Sequence, residues 1–196
     1  MFIILLLTGS VSVAAAQGAT PQKLFESGKY QEAVDTVKAQ PGAPPDQIYL
    51  RALAHRKLNQ SEEAKQAFGA LAGAAPGSVW REIGASGLAL VDGNLDGAQA
   101  AATKAVAADP NSAPARYQLG VVESARDNQA PAAEAFAKAA ELDPRMAYAH
   151  YEAGMAFYKL KRVDRMAVYF ENFLKLAPDA PEKPAVQSIM RTVRGR

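Results

Sequence analysis

The chain has 196 residues, which is enough to bury a hydrophobic core in one domain or two small ones. Its 22 lysines and arginines nearly balance its 20 aspartates and glutamates, and this balance excludes a basic nucleic-acid-binding arm and an acidic tail. The lack of cysteine excludes disulfide bonds, thiolate metal sites and a cysteine nucleophile. We therefore expect no nucleic-acid partner.

Residues 1–16 are predicted to be a secretory signal peptide. An apolar run at 2–7 is followed by small residues that end at Ala16, and Ala14 and Ala16 fit the peptidase pattern. The run is too short to persist as a membrane anchor, so no stable span is expected after cleavage. No lysine or arginine precedes it, and the alternative is a buried apolar strand or helix. We expect an exported protein, periplasmic or extracellular, and the alanine-rich composition favours a bacterial source.

Residues 17–44 predict a truncated helical unit followed by a linker. The segment 24–33 reads as the end of one helix, a turn that contains Gly28, and the start of a second helix. The step from Ala33 to Ala64 is slightly shorter than the spacing that governs the rest of the chain. The proline- and glycine-rich stretch 40–45 is therefore a shortened linker.

A repeat of about 34 residues organises the chain after this linker. Four kinds of residue recur at that spacing: prolines, small residues, alanines and phenylalanines. They are Pro76, Pro110, Pro144 and Pro178; Ala52, Ser86, Gly120 and Gly154; Ala64, Ala98 and Ala132; and Phe68, Phe136 and Phe170. The pattern predicts four full units, at 45–78, 79–112, 113–146 and 147–180.

Each unit is predicted to be a helical hairpin. In the last one, a first helix over 147–159 is followed by a polar turn and by a second helix over 165–176, which Pro178 prevents from continuing. Glycine in a helix interior is unfavourable by about 1 kcal/mol relative to alanine. The recurrence of a small residue at Gly154 therefore indicates a close helix crossing, with Phe157, Phe170 and Phe173 around it.

Residues 181–196 predict a terminal amphipathic helix. Apolar residues follow helical spacing on one face, and a repeat array needs an element that covers its last exposed face. The alternative is a membrane-surface helix whose basic residues face the lipid. The apolar residues are Val186, Ile189, Met190 and Val193, and the basic ones are Arg191, Arg194 and Arg196.

The residues that recur at equivalent positions of the four units resemble the tetratricopeptide repeat, a helix–turn–helix of about 34 residues. The family pattern has a small residue in the first helix, an alanine early in the second, an aromatic four positions later and a final proline. Unit 113–146 matches it with Gly120, Ala132, Phe136 and Pro144, whereas unit 79–112 departs most from it. The resemblance implies an all-α right-handed superhelix of antiparallel helix pairs, whose first helices line a concave groove.

No enzyme constellation is found in the sequence, and we expect no catalytic activity, cofactor or metal. His55 and His150 lie on different predicted helices and are interpreted as packing or surface residues. The segment 92–97 faintly resembles a calcium loop, but it lacks the closing glutamate, since Thr103 stands in that place.

The resemblance also assigns a candidate partner-binding surface on the first helices. Counting along each unit gives an aromatic and aliphatic groove with basic residues at its two ends. Its residues are Tyr49, Leu53, Arg56, Lys57, Trp80, Ile83, Leu90, Tyr117, Val121, Tyr148, Tyr151, Met155, Tyr158 and Lys159. The lysine and asparagine clamp by which some members hold carboxylates is absent.

Two alternatives apply within this groove. Tyr49, Tyr117 and Tyr151 either contact the partner or pack between neighbouring first helices. Trp80 and Tyr148, near helix starts, are expected to be exposed. Their replacement by alanine is then expected to abolish binding and to leave thermal stability nearly intact.

The predicted function is a non-catalytic scaffold that binds a partner peptide or helix in this groove. Tyrosine and tryptophan suit such a surface because they give large contact area at little entropic cost. Two alternatives stay open: a carrier of an apolar small molecule or lipid in the same groove, and a self-assembling module of an envelope complex that associates through the alanine-rich unit 79–112.

Overall fold

The computed structural model describes residues 19–195, and every regular element in that range is an α-helix. The predicted signal peptide lies outside the described residues. The helices are α1 Pro21–Glu26, α2 Tyr30–Lys38, α3 Pro45–Lys57, α4 Ser61–Ala72, α5 Val79–Val91, α6 Leu95–Ala108, α7 Ala113–Ala125, α8 Gln129–Leu142, α9 Ala147–Lys159, α10 Val163–Leu176 and α11 Lys183–Arg194.

The first ten helices pair consecutively as five hairpins, α1–α2 to α9–α10, and each hairpin packs on the next. This arrangement confirms the predicted all-α solenoid of helix pairs. The last pair differs from the prediction in one detail: its second helix, α10, begins at Val163 rather than at residue 165. Helix α11 follows α10 and buries Val186 and Met190. Among residues 19–195, no helix has the length and apolarity that crossing a lipid bilayer requires.

The turn inside every hairpin contains one residue with a left-handed backbone. Two hydrogen bonds close the first full turn: the amide of Gln60 donates to the carbonyl of His55 at 2.9 Å, and that of Asn59 donates to Arg56 at 3.1 Å. This is the Schellman arrangement that ends helices, and it recurs in all five hairpins. The left-handed residues are Gly28, Asn59, Gly93, Asp127 and Lys161.

Lys161 is the unusual member of this set, because a lysine at φ 58° carries a steric cost that glycine avoids. We expect Lys161→Gly to raise the free energy of unfolding by about 0.5–1 kcal/mol, measured by urea denaturation. The matched control is Gly93→Lys, which places the same side chain at φ 77° and is expected to destabilise the protein. No gain from Lys161→Gly would show that this turn is unstrained.

Phenylalanines on the second helices pack directly on glycines of the first helices. A Cβ added at Gly120 would lie 2.6 Å from the ring of Phe136, and one at Gly154 would overlap the ring of Phe170. Phe136 and Phe170 are buried. The predicted close crossing at the recurring small residues is therefore confirmed. At Gly84 the close neighbour is backbone, because an added Cβ would lie 2.6 Å from the carbonyl oxygen of Phe68.

The array curves so tightly that its first hairpin touches its last. The hydroxyl of Tyr49 on α3 donates to Gln118 Oε1 on α7 at 2.9 Å, so two first helices meet across the intervening unit. Farther along, the ring centroid of Phe25 on α1 lies 5.0 Å from that of Tyr148 on α9. We call the surface that α3, α7 and α9 turn toward α1 the inner face.

Candidate functional site: an inner face closed by the first hairpin

The inner face carries Tyr49, Tyr117 and Tyr148 of the predicted groove, whereas Trp80 lies on α5, and most of the predicted residues are packed. Of the fourteen predicted residues, taken whole, five are buried, six are half-buried and three are exposed. The buried ones are Tyr49, Leu53, Ile83, Tyr117 and Tyr148; the half-buried ones are Arg56, Trp80, Leu90, Val121, Tyr151 and Met155; the exposed ones are Lys57, Tyr158 and Lys159.

The prediction that Tyr148 is exposed is wrong, because the residue is only 3% accessible. The physical reason is the first hairpin, which the sequence pattern treats as an incomplete unit at one end of the array. Phe25 meets Tyr148 edge to face, with the ring planes at 65°. Trp80 is not fully exposed either: it is half-buried and tilted against Tyr49, at 6.3 Å between centroids.

Tyr49 and Tyr117 are buried, and both pack on the second helix of their own hairpin; Tyr49 also packs against Trp80 on the neighbouring first helix, as the packing alternative expects. Tyr49 contacts the ring of Phe68 in its own unit, and Tyr117 contacts Phe136 in the same way, at 5.4 Å. Burial raises the pKa of both phenols, so both hydroxyls stay protonated. Whether either side chain also touches a partner stays a prediction.

Four polar side chains link α2, α3, α9 and the segment that follows α10, and we call them the closing network: Tyr30, Lys57, Tyr148 and Glu182. The hydroxyl of Tyr148 donates to Glu182 Oε2 at 2.9 Å, and Lys57 Nζ donates to Glu182 Oε1 at 2.9 Å. The hydroxyl of Tyr148 therefore accepts from that of Tyr30, 3.1 Å away. Burial is the main reason why the pKa of Tyr148 is raised, and the negative charge of Glu182, which accepts the hydrogen bond from Tyr148, acts in the same direction.

The Lys57 ammonium also lies over the ring of Tyr148, 4.7 Å from its centroid. An ammonium in this position is attracted by the electron-rich ring face. The Lys57 and Glu182 side chains are 32% and 15% exposed, so their ion pair is shielded from solvent more than an ordinary surface pair. The predicted basic end of the groove is thus partly neutralised by an acid that lies outside the repeats.

The ring of Phe25 lines two clefts on the inner face. The wide cleft has a volume of about 590 Å³. Its walls include four aromatic rings, and its rim carries side chains of both charges. The rings are Phe25, Tyr49, Tyr117 and Tyr148, and the charged residues are Lys23, Glu26, Asp46, Asp143 and Arg145.

The narrow cleft, of about 370 Å³, shares Phe25, Leu53 and Tyr117 with the wide cleft. Its other walls are Arg56, Lys57, Val121, Ser124, Ala125, Phe136 and Glu152. Burial raises the pKa of Glu152, and the charges of Lys57 and Arg56 oppose that shift. This cleft therefore combines an apolar wall with a carboxyl group and two cations.

Several of these residues were missed by the sequence analysis. Phe25 and Tyr30 belong to the shortened unit, and Glu182 lies beyond the last repeat, so none falls in a column of the full repeats. Gln118 is fully buried and donates from Nε2 to Ser86 Oγ at 3.1 Å, while Ser86 donates to the carbonyl of Ala98. Tyr49, Gln118 and Ser86 thus form a chain of buried hydrogen bonds in which each side chain has a partner. A buried chain of this kind rigidifies the core rather than binding a ligand.

His150 lies on the outer side, in a hollow of about 390 Å³ that Glu134, Arg165 and Tyr169 also line. Its Nε2 lies 3.1 Å from the carbonyl of Pro144 and donates to it, whereas its buried Nδ1 has no partner. A protonated ring would leave a buried Nδ1–H unpaired, and burial accordingly lowers the pKa of His150. Within residues 19–195, no group of three or more acidic or histidine side chains is arranged to hold a metal ion.

The lowered pKa of His150 predicts how stability depends on pH. The unfolded chain binds a proton near pH 6.5 and the folded chain only below that, so stability is lost as pH falls below about 6.5. The slope is expected to stay under about 1.4 kcal/mol per pH unit, the limit for one proton. Urea denaturation between pH 5 and pH 8 measures it. His150→Gln is expected to remove this component, and an unchanged slope would assign it to other groups.

Comparison with known proteins agrees with this architecture. Residues 48–78 and 148–180 match the sequence profile of the tetratricopeptide repeat. No curated protein sequence matches the chain. Among solved structures, TTC0263, a thermophilic tetratricopeptide protein of Thermus thermophilus, superposes with a TM-score of 0.62 at 18% identity, over 87% of this chain and 95% of that one.

Two other solved structures share the fold less closely. YrrB, described as a tetratricopeptide protein with an unusual peptide-binding site, has a TM-score of 0.50 at 16% identity, over 90% of this chain and 89% of that one. MamA has a TM-score of 0.51 at 18% identity, over 81% of this chain and 94% of that one. At these identities the likeness concerns the fold.

The fold and its inner face define an α-solenoid of the class that serves protein–protein interaction. The profile match identifies residues 48–78 and 148–180 as tetratricopeptide repeats, and solved proteins of that family share the fold, so the predicted tetratricopeptide resemblance is confirmed. Members of this family are generally non-catalytic and bind protein partners.

Proposed function

We propose that this chain is an exported scaffold that binds a segment of a partner protein in the wide cleft. The main support for this proposal is that four aromatic residues from four separate hairpins line one cleft of about 590 Å³. Clefts of this size, apolar inside and ringed by a few polar groups, are typical of binding sites. The rim charges of both signs favour a peptide with mixed charges over a uniformly charged one.

Geometry also bears on the form of the partner. Asp46 and Pro114 stand at the starts of α3 and α7, and Arg145 precedes α9, so the wide cleft lies where these first helices begin. Its walls come mainly from α1 and these three helices, which suits a short extended segment or one or two helical turns.

A site-specific cross-linker tests this proposal. Benzoylphenylalanine is placed at Arg145, whose side chain is 92% exposed and which lines the wide cleft. The control position is Gln66, exposed on the outer helix α4. Irradiation in source cells is expected to give a discrete cross-linked protein from position 145 and none from 66. Equal labelling from both positions, or none from 145, would refute binding in the wide cleft.

The export component rests on the apolar run at 2–7 and on the Ala14 and Ala16 pattern. Cell fractionation with N-terminal sequencing is expected to recover a chain that begins at Gln17 outside the cytoplasm. A chain that keeps Met1 in the cytoplasm would contradict export.

The two other functions give different results with the purified protein. A carrier of an apolar molecule is expected to retain a small ligand in native mass spectrometry. A self-assembling module that associates through 79–112 is expected to form a stable oligomer by light scattering. The scaffold proposal expects neither.

A further inference from the structure

We propose that α1 is a built-in competitor for the partner: a partner segment enters by displacing Phe25, and it carries an aromatic side chain that takes the place of that ring. This inference rests on the proposed function, because it specifies how the same inner face is filled and opened.

Helix α1 is the weakest element around the inner face. It has six residues, whereas α3, α5, α7 and α9 have thirteen each. It buries only Leu24 and Phe25. A helix this short has no stability of its own, and elements with few buried contacts open first. Its removal is therefore the opening that costs the array least.

Phe25 is the side chain that divides the inner face. Phe25, Leu53 and Tyr117 line both clefts, and Phe25 is the one of the three that belongs to α1, so displacement of α1 would join the wide and narrow clefts into one groove. The vacated position lies beside the ring of Tyr148, in clefts that Tyr117 and Leu53 also line. Such a position accepts a planar ring, and the edge-to-face geometry at Tyr148 is one that aromatic pairs favour. An aromatic partner side chain fits it better than a branched aliphatic one.

The closing network sets how readily this opening occurs. The hydroxyl of Tyr30 donates to Tyr148, and this hydrogen bond ties the first hairpin to α9. A partner binds only the opened form, so its apparent affinity is the intrinsic affinity multiplied by the fraction of molecules that are open. The smaller that fraction, the weaker the observed binding. A partner segment with a hydroxyl or amide donor beside its aromatic residue would replace the bond from Tyr30.

The joined groove also adds polar groups that the closed form keeps apart from the wide cleft. Arg56 and Glu152 line the narrow cleft, and the carboxyl of Glu152 lies in the field of Arg56 and Lys57. A segment that extends past the aromatic residue therefore meets a cation and a carboxyl group in succession. We therefore expect the partner segment to carry a polar residue next to its aromatic residue.

A reversible lock tests the inference in the full chain. A Cβ built at Gly28 lies 3.7 Å from Pro181 Cβ, within the usual Cβ–Cβ distance of a disulfide, and the chain has no cysteine. The double variant Gly28→Cys/Pro181→Cys is therefore closed when oxidised and free to open when reduced. The probe is a fluorescent synthetic peptide of residues 19–31, which carries the chain's own Phe25 and Tyr30.

Fluorescence anisotropy is expected to show at least tenfold weaker peptide binding to the oxidised variant than to the reduced one. The wild-type chain, which has no thiol, is expected to bind equally under both conditions. A peptide carrying Phe25→Ala is expected to lose binding to every form. Equal binding by the oxidised and reduced forms, or no binding by the reduced form, overturns the inference.

A second variant avoids any strain that a cysteine at the positive φ of Gly28 introduces. Tyr30→Phe keeps the ring and removes the hydroxyl, and it is expected to tighten peptide binding about fivefold, the effect of one lost hydrogen bond. Unchanged affinity would mean that this bond does not hold α1 closed. Cross-linking from Arg145 that persists in the oxidised variant would leave the proposed function intact while excluding displacement; loss of cross-linking in every form would refute the proposed function itself.

Discussion

Replacing Tyr148 by alanine is expected to lower the free energy of unfolding by about 3–5 kcal/mol, the usual cost of truncating a buried aromatic side chain. The ring packs against Phe25, Tyr151 and Phe173, and its hydroxyl joins Tyr30 to Glu182. The variant loses the apolar contact area of the ring and leaves Tyr30 without its acceptor. Urea denaturation measures the loss.

Tyr158 provides the matched control for this prediction. It lies on the same helix, α9, but it is 42% exposed. Tyr158→Ala is expected to change stability by no more than about 0.5 kcal/mol. If Tyr148→Ala costs as little as Tyr158→Ala, then Tyr148 faces solvent and the inner face is open.

Replacing Phe170 by alanine is also expected to lower the free energy of unfolding by about 3–5 kcal/mol, because its ring is fully buried. Because the ring of Phe170 also contacts Gly154, a double-mutant cycle of the two residues tests the close helix crossing more directly than the single variant does. An added methyl at Gly154 overlaps the ring of Phe170, so Gly154→Ala is expected to destabilise the wild-type protein by about 1–3 kcal/mol. In the Phe170→Ala background the space is free, and the same change is expected to be neutral or stabilising.

Gly69 is the control for the glycine part of this cycle. It lies inside α4 and has no atom within 4 Å of a built Cβ, so Gly69→Ala is expected to stabilise the protein by up to about 1 kcal/mol. Urea denaturation of the four variants of the cycle gives the coupling between residues 154 and 170. A coupling near zero would show that the close helix crossing is not what requires glycine.

The hairpins were predictable from the sequence because their contacts are local. Gly120 and Phe136 belong to one hairpin, and both recur at a fixed spacing, so one matching unit explains the others. The left-handed turn residues have a sequence signal for the same reason, since glycine, asparagine and aspartate occupy four of the five turns. Only Lys161 required the structure.

Closure of the inner face was not predictable in this way. Tyr30 and Tyr148 are 118 residues apart, and the distance between them depends on small rotations that add up over all the hairpins. A repeat pattern treats equivalent positions alike, yet Tyr148 is buried against Phe25 of α1, whereas Asp46, at the equivalent position of the first full unit, is exposed. Glu182 and Phe25 lie outside the four full units, so the repeat pattern gives no reason to place them together.

The burial of Tyr148 changes what a binding experiment on this protein needs. Alanine at Tyr148 removes a core residue, so lost binding in that variant would report loss of structure rather than loss of a contact. Residues on the rim, such as Arg145 and Asp46, are exposed and test the wide cleft without this complication.

The contact between Phe25 and Tyr148 is the central claim, and nuclear Overhauser spectroscopy tests it most directly. Their ring centroids are 5.0 Å apart, and those of Tyr117 and Phe136, within one hairpin, are 5.4 Å apart. With phenylalanine and tyrosine rings selectively labelled, we expect cross-peaks of similar intensity for both pairs. A cross-peak for Tyr117 and Phe136 without one for Phe25 and Tyr148 would contradict closure by the first hairpin.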